Sequence, residues 1–381
     1  MKILYIGNFI LPDGNAAAHR VIGNAKALRA AGHDVVLLGC KINEGRSLFE
    51  SRETYNNFIG YTFRKPDKSL NWLNYLCNID YIKAIIKEEK PSAIIIYNYP
   101  AIAGERLRRY CQKHSIYIFA DCTEWFEPEG SFFYKNIKKW DTEYRMRVLH
   151  PKLDGIISIS SFLENYYKDL GCKTICIPPL IDKEDEKWAS NESSVSDDHI
   201  SFIYVGNPGA GKKDMLNISI ACLRKIKEKG IPVVFNIVGI TKIQYEVNFG
   251  KLDVDDEEWL HFLGKLQNVK ALSLIKNSDF SIFFRKKNLV TTAGFPTKLS
   301  ESIACGTPVI TNDSSDLKEY IENGKNGFLV EIDDMDYLFE QILVICNLSK
   351  SQLFGMKEYC AQEKTFDYRE YIEKIRVLFP K

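Results

Sequence analysis

The chain has 381 residues, with 51 Lys plus Arg against 50 Asp plus Glu and a formal net charge of +1. That length favours two domains of ordinary size over one very large one, and the near-zero charge argues against a dedicated nucleic-acid binder, whose balance is normally clearly basic. Ten scattered cysteines with no CxxC pair read as reduced, mostly buried thiols of a cytosolic protein, and no His or Cys spacing suggests a metal site. The opening MKILYIGNF lacks the apolar length and cleavage site of a signal peptide, and no window approaches 18 uncharged apolar residues, so the expected location is the cytoplasmic side.

From Met1 to about Leu180, strands are predicted at Ile3 to Ile6, Val35 to Leu38, Ala93 to Tyr97, Ile116 to Phe119 and Gly155 to Ile159, alternating with helical patterns. Such alternation predicts a parallel sheet covered by helices. The first strand runs into GNFILPDGNAAAHR, where small residues from Gly14, Asn15 and Ala16 to Ala18 admit close approach of another molecule and the helix start offers free N–H donors. A ligand loop flanked by His19 and Arg20 competes here with an ordinary strand-to-helix connection that leaves both side chains on the surface. Asp121, Glu124, Glu127 and Glu129 follow the strand at Ile116. A carboxylate at that sheet edge could orient or deprotonate a hydroxyl, and Asp121 and Glu124 beside Trp125 look more site-like than a solvated loop. Phe132 to Lys152 holds six Lys or Arg against two acids, interleaved with aromatics. That suits either an anionic membrane surface or a helix with a basic outer side.

Asp182 to His199 is polar, acidic and serine-rich and serves as a linker over 183–199, between domains at 1–182 and 200–365. The second domain repeats the scheme, with strands predicted at Ser201 to Val205, Val233 to Val238, Phe280 to Phe284 and Val309 to Thr311. Between the first of these and the next helix lies GNPGAGKKD. Its Gly206, Gly211 and Lys212 imitate a phosphate loop, but Lys213 stands where a magnesium-binding Ser or Thr belongs, so an NTPase is disfavoured. Glycines at a strand end with Lys212 and Lys213 at a helix start would still cradle a diphosphate, if they are not simply solvated. Arg285 follows a strand at the carboxyl edge, where a guanidinium can grip phosphate bidentately or be one surface charge of the run RKK. Asp253 and Asp255 spell DxD in an acidic loop and read as solvated.

GFPTKLSESIACGTPVI, Gly294 to Ile310, encodes a loop, a short helix, a stop and a strand. Pro296 suits the first helical position, and Gly306 to Pro308 end the helix. Leu299 and Ile303 point to one side, and Lys298 and Glu301 lie together on the other. A lysine in a first helical turn opposes the macrodipole, a penalty that reverses sign when an anion binds there. A last helical pattern, Tyr368 to Leu378, is read within 366–381 and could cross back to the first domain.

On the opening loop, GHDVVLLG, DGIISIS, YVGNPGAGKKD, FLGKLQNVKALSLIKNSDFSIFF and above all PTKLSESIACGTPVI, the chain resembles family four of the retaining glycosyltransferases over nearly its whole length, and most of all members that build bacterial surface polysaccharides. The resemblance implies an α/β GT-B architecture, two Rossmann-like doubly wound parallel-sheet domains facing a cleft, the first binding acceptor and the second the nucleotide-sugar. It implies donor contacts from Gly206, Asn207, Gly211, Lys212, Lys213, Arg285, Gly294, Phe295, Lys298, Leu299 and Glu301. Among these Glu301 holds the ribose and Lys213 sits beside the diphosphate. Gly14, Asn15, Ala16, His19 and Arg20 form an acceptor-side loop, and Lys213, Arg285, Asp121 and Glu124 are the candidates for the chemistry. Two positions depart from the family: Asn207 replaces an arginine that Arg285 would substitute, and Ala293 replaces the first of two glutamates eight residues apart. The implied reaction moves a sugar, with UDP-sugar favoured, to a hydroxyl of a lipid-linked surface glycan with retained configuration and without metal or other cofactor, as the domains close over the donor. The competing readings are a catalytically silent partner of an active transferase and a sugar epimerase. The expected partners are donor and glycan acceptor, with a peripheral membrane contact through 132–152 and no nucleic acid.

Overall fold

The computed structural model describes residues 1–11, 14–41, 49–64, 72, 75–125, 132–188, 198–209 and 212–380. The chain divides into two units: Met1–Leu180 with Ala293–Phe295 and Asp367–Lys381, and Ile181–Thr292 with Pro296–Phe366.

In the first unit the β-branched runs form β1 (Lys2–Ile10), β2 (Asp34–Lys41), β5 (Ala93–Tyr97), β6 (Tyr117–Cys122) and β7 (Gly155–Ser158). Three strands that sequence patterning passed over join them: β3 (Phe49–Tyr55), β4 (Phe58–Arg64) and β8 (Thr174–Cys176). The sheet order is β3-β4-β2-β1-β5-β6-β7-β8. Every pairing is parallel except the β3/β4 hairpin. That hairpin turns at Asn56 and Asn57, both left-handed at φ 48° and 64°, the conformation that matches the right-handed twist of flanking strands. The chain leaves β1 towards β2 and later returns to β1's other side with β5, which opens a crevice at the carboxyl ends of β1 and β5.

The final segment belongs to this unit. Tyr371, Ile375, Leu378 and Phe379 join the buried cluster around Tyr5, Leu37 and Ile95, with the Phe119 and Phe379 rings 4.4 Å apart. Gly155 makes that packing possible, since a Cβ there would lie 2.7 Å from Leu378 Cδ1.

The second sheet is parallel throughout, in the order β11-β10-β9-β12-β13-β14. It comprises β9 (Ile200–Val205), β10 (Val233–Val238), β11 (Leu260–Gly264), β12 (Phe280–Ile282), β13 (Val309–Thr311) and β14 (Gly327–Leu329). Here the reversal of direction falls between β9 and β12. The helix read at Pro296 begins one residue later, at Thr297–Ala304, because Pro296 holds an extended cap at φ −77° and ψ 108°. Its end is a Schellman motif: Gly306, at φ 75°, donates to Ile303, and Thr307 donates to Ser302. Among the described residues no helix is long and apolar enough to cross a membrane.

Candidate functional site

The loops after β9 and β12 meet at the reversal point of the second sheet. Asp214 and Arg285 form an isolated antiparallel bridge, extended by Met215 N–H donating to Phe284 O at 2.7 Å and Lys286 N–H to Lys213 O at 3.2 Å. Asn312, just beyond β13, fixes the Arg285 backbone from both sides: its Oδ1 accepts from Arg285 N–H at 2.7 Å and its Nδ2 donates to Arg285 O at 2.9 Å. The arginine at this sheet edge is thus clamped rather than one surface charge of a run.

Around Asp214 the side chains converge. Tyr204, near the end of β9, donates its hydroxyl to Asp214 Oδ2 at 2.7 Å. Lys298 donates to the same oxygen from the first turn of the helix Thr297–Ala304, with its ammonium over the Tyr204 and Phe283 rings at 4.4 and 5.0 Å. Arg285 Nε lies 3.3 Å from Asp214 Oδ1. Asp214 and Arg285 are only 2% and 4% exposed. Burial would raise the Asp214 carboxyl, but Lys298 and Arg285 outweigh it and hold it below its ordinary value. The two cations are pulled the other way: burial lowers both Lys298 and Arg285, and Asp214 only partly restores them. Arg285 Nε and Nη1 are buried, and among the described residues neither has a hydrogen-bond acceptor. Buried guanidinium nitrogens left in this state are costly in a resting fold, and they are what an anion would satisfy.

Gly206 and Lys213 are the other sequence-derived donor residues that approach this cluster. Gly206 takes φ 151°, and a Cβ there would come within 3.2 Å of Lys298 Nζ, so the lysine lies directly over a glycine. Asn207 is exposed and turns its amide oxygen onto Gly209 N–H at 2.8 Å. Lys212 is exposed and left-handed, φ 46°, with its ammonium 5.5 Å from the Phe249 ring. Lys213 is exposed, and its charge adds to the lowering of Lys298. Leu299 is buried, and Glu301 stands half-buried one turn beyond Lys298. Gly294 and Phe295 group with the first unit, as does Ala293, whose carbonyl accepts from Ser160 Oγ at 2.7 Å. Gly211 lies outside the described residues. The residue that sequence reasoning missed is Asp214. Its signal was present as the last letter of GNPGAGKKD, an acid placed directly after two lysines at a strand end.

Of the DxD pair, Asp253 is exposed and caps the short turn Val254–Glu258, while Asp256 pairs with Arg224 at 2.7 Å. Among the described residues no group of three or more His, Cys, Asp or Glu could hold a metal ion.

In the first unit Arg20 and Asp121 sit together behind the β1/β5 crevice. Asp121 is fully buried and Arg20 is 2% exposed. Arg20 Nε and Nη2 both bond the Asp121 carboxylate, at 3.0 and 2.7 Å, and Nη1 donates to Ile177 O at 2.8 Å. The Tyr5 hydroxyl donates to Asp121 as well, and Asn24 Nδ2 approaches it at 3.3 Å. Burial opposes the charge on Arg20, yet Asp121 wins and raises its pKa. This closed network corrects two expectations. Asp121 has no face left for an acceptor hydroxyl, and Arg20 is an internal tie rather than a loop side chain, because its helix packs it against β6. Gly14 and Ala16 are exposed, Asn15 caps the helix Ala16–Ala30 by accepting from Ala18 N–H at 3.0 Å, and His19 is half-buried. Glu124 is half-buried at the edge, and Glu127 and Glu129 lie outside the described residues. Beside Glu124, Asn98 holds a left-handed φ of 41°, locked by a reciprocal pair with Thr123.

Two doubly wound α/β units, the first with a sheet parallel except for the β3/β4 hairpin and the second with a sheet parallel throughout, have the GT-B fold, and solved structures share it. Sucrose-phosphate synthase from Thermosynechococcus elongatus superposes with a TM-score of 0.70 at 14% identity, covering 98% of this chain and 97% of that one. Anabaena HepE, solved with UDP, superposes at 0.65 with 16% identity over 98% of both chains. The family model for glycosyl transferases group 1 matches residues 199–347 and that for glycosyltransferase family 4 matches residues 17–185, so the chain belongs to the family-4 glycosyltransferases. WcaL of Escherichia coli K12, provisionally named a colanic acid biosynthesis glycosyltransferase, is 22% identical over 42% of this chain, and WcaL of Salmonella typhimurium LT2 is 21% identical over 61% of it. The matched stretches span 40% and 57% of those two relatives.

Proposed function

We propose that the protein transfers a sugar, with retained configuration, from a nucleotide-sugar to a hydroxyl of a growing lipid-linked surface glycan. The observation that carries this reading is the cluster of Arg285, Lys298 and Lys213 at the β9/β12 reversal point, with two buried guanidinium nitrogens that have no hydrogen-bond acceptor among the described residues. As the sugar leaves, negative charge develops on the departing diphosphate, and fixed cations stabilise it where it forms without reorganising. Arg285, Lys298 and Lys213 supply that charge, Glu301 holds the ribose, and Gly206, Asn207, Lys212, Gly294, Phe295 and Leu299 shape the donor contacts. Glu124 takes over the acceptor-orienting role that Asp121 is too buried to perform, alongside the loop of Gly14, Asn15, Ala16 and His19. Residues 1–182 are assigned to the acceptor and 200–365 to the donor. UDP is the favoured nucleotide, by analogy with HepE and with the trehalose-6-phosphate protein of E. coli solved with UDP-2-fluoro glucose. A cytoplasmic location with peripheral membrane contact fits the helix Phe132–Tyr144, where Ile137 and Trp140 are exposed beside Lys135 and Lys139.

A second reading, a catalytically silent nucleotide or glycan binder, is favoured by Ala293, whose methyl cannot bond a sugar hydroxyl. Thermal unfolding with UDP, GDP, CDP and ADP, and with the matching nucleotide sugars, each with and without EDTA, separates the two. A midpoint shift with one nucleotide that survives EDTA, followed by transfer to a lipid-linked acceptor, supports the transferase. Binding without turnover across a broad donor and acceptor set supports the silent binder.

A further inference from the structure

Resting on the reading of this site as the one that takes the donor diphosphate, we propose that Asp214 is a positioning residue: a built-in anion that aligns Arg285 and Lys298 and releases Lys298 to the diphosphate when the donor binds.

The pairing and the unused donors of the cluster carry this. Asp214 is the one carboxylate that both buried cations share. A pair built only for stability sits where the guanidinium is fully satisfied, as Arg20 is in the same molecule, with Nε and Nη2 on Asp121 and Nη1 on Ile177 O. Asp214 instead holds Arg285 only as an ion pair, its Oδ1 3.3 Å from Nε, and Nε and Nη1 have no hydrogen-bond acceptor among the described residues. The pairing agrees, since among the described residues Asp214 pairs with both Arg285 and Lys298 while Lys213 adds a third positive charge beside them, which suits an anionic ligand rather than a neutral one. Lys298 is the mobile member. Its ammonium has three donors and makes one hydrogen bond among the described residues, and two aromatic faces support its charge without using a donor. Tyr204 fixes Asp214 from the side of the sheet, so the carboxylate stays in place while its cation changes partner.

The test is titration of UDP and of inorganic pyrophosphate into wild type, Asp214→Asn, Lys298→Met and the double variant, read by calorimetry and thermal unfolding. Without the competing carboxylate, D214N is expected to bind both ligands as tightly as wild type or several-fold more tightly, while K298M binds them at least tenfold more weakly. In the double variant the D214N effect should vanish, because Asp214 acts through Lys298. With a nucleotide sugar that wild type turns over, D214N should lose at least tenfold in kcat with no rise in KM. A merely structural carboxylate would not produce that split. If D214N does not fold, Tyr204→Phe carries the test: it leaves every charge in place, and it should lower kcat while diphosphate affinity stays unchanged. Equal weakening of diphosphate binding in D214N and K298M, additive in the double variant, overturns the inference while leaving the donor site standing. A folded wild type that binds neither UDP nor pyrophosphate overturns both.

Discussion

The two sheets each carry a buried aspartate joined to an arginine and a tyrosine hydroxyl, and the two clusters differ in how completely they are satisfied. In the first unit Asp121, Arg20, Tyr5 and Asn24 close on one another, and every Arg20 nitrogen has an acceptor. In the second, Asp214 and Tyr204 face two cations, and Arg285 keeps two nitrogens without acceptors among the described residues. Aspartate, arginine and tyrosine therefore form a closed network in one place and an incompletely satisfied one in the other. What separates them is the supply of acceptors. Asp121 takes two Arg20 nitrogens and Ile177 O takes the third, whereas Asp214 is shared between Arg285 and Lys298, and among the described residues no other group accepts from the Arg285 nitrogens left over.

The largest test of this contrast removes one partner from the closed cluster. Asp121→Ala should cost about 3–5 kcal/mol by chemical denaturation, the cost of leaving a buried charge uncompensated, with nucleotide-induced stabilisation unchanged relative to the variant's own midpoint. A loss of nucleotide binding with stability intact would reverse the assignment. Arg285→Met should behave in the opposite way. Asp214 keeps Lys298 and Tyr204, so stability should fall by less than in the first unit, while UDP binding weakens by about 10- to 100-fold, the worth of a charged hydrogen bond or two. Gly206→Ala combines strain at φ 151° with a methyl 3.2 Å from Lys298 Nζ. It should cost about 1–3 kcal/mol and weaken UDP binding, both visible in a ligand-dependent melt.

Acid provides a smaller and sharper distinction. Because the folded-state pKa of Asp214 is depressed, its ionised form stabilises the fold at all pH above its unfolded value of about 3.9. That contribution fades only as pH falls through the lower folded value. Urea midpoints of wild type and Asp214→Asn should accordingly differ by a constant amount above about pH 5 and converge below about pH 4. Convergence at neutral pH would mean that the carboxylate is not the charged partner described. The smallest effect belongs to Asp253→Asn, at an exposed cap: a stability change within about 0.5 kcal/mol and unchanged nucleotide binding with or without EDTA.

Much of this was legible along the chain. The runs around Ile94, Val234 and Phe202 are continuous and β-branched or aromatic, as strands buried on both faces must be, and they place the central strands of both sheets. The short strands at Thr174–Cys176 and Gly327–Leu329 offer too few residues for any periodicity to show. The β3/β4 hairpin was signalled only by Asn56 and Asn57. At the site, Lys298, Arg285 and Gly206 were readable because a lysine at a helix start, an arginine at a strand end and a glycine after a strand each have a local physical reason. Asp214 was not, because its meaning depends on Arg285, 71 residues away in sequence, closing the bridge to it. Arg20 and Asp121 were misread for the same reason: a charged residue beside a loop looks exposed until the partner that buries it is known.

The sequence by itself determined the elements and their order, through hydrophobic period, glycine and proline placement and the caps of single helices, since these interactions span only a few residues. The order in which the strands pair, and with it the two reversal points, came from the fold, because pairing joins runs far apart in the chain. Only the tertiary structure decided which charges are satisfied and which keep donors without acceptors among the described residues. Burial and pairing are set by residues distant in the chain, so a buried aspartate closes its network or leaves it open depending on which groups the fold brings to it.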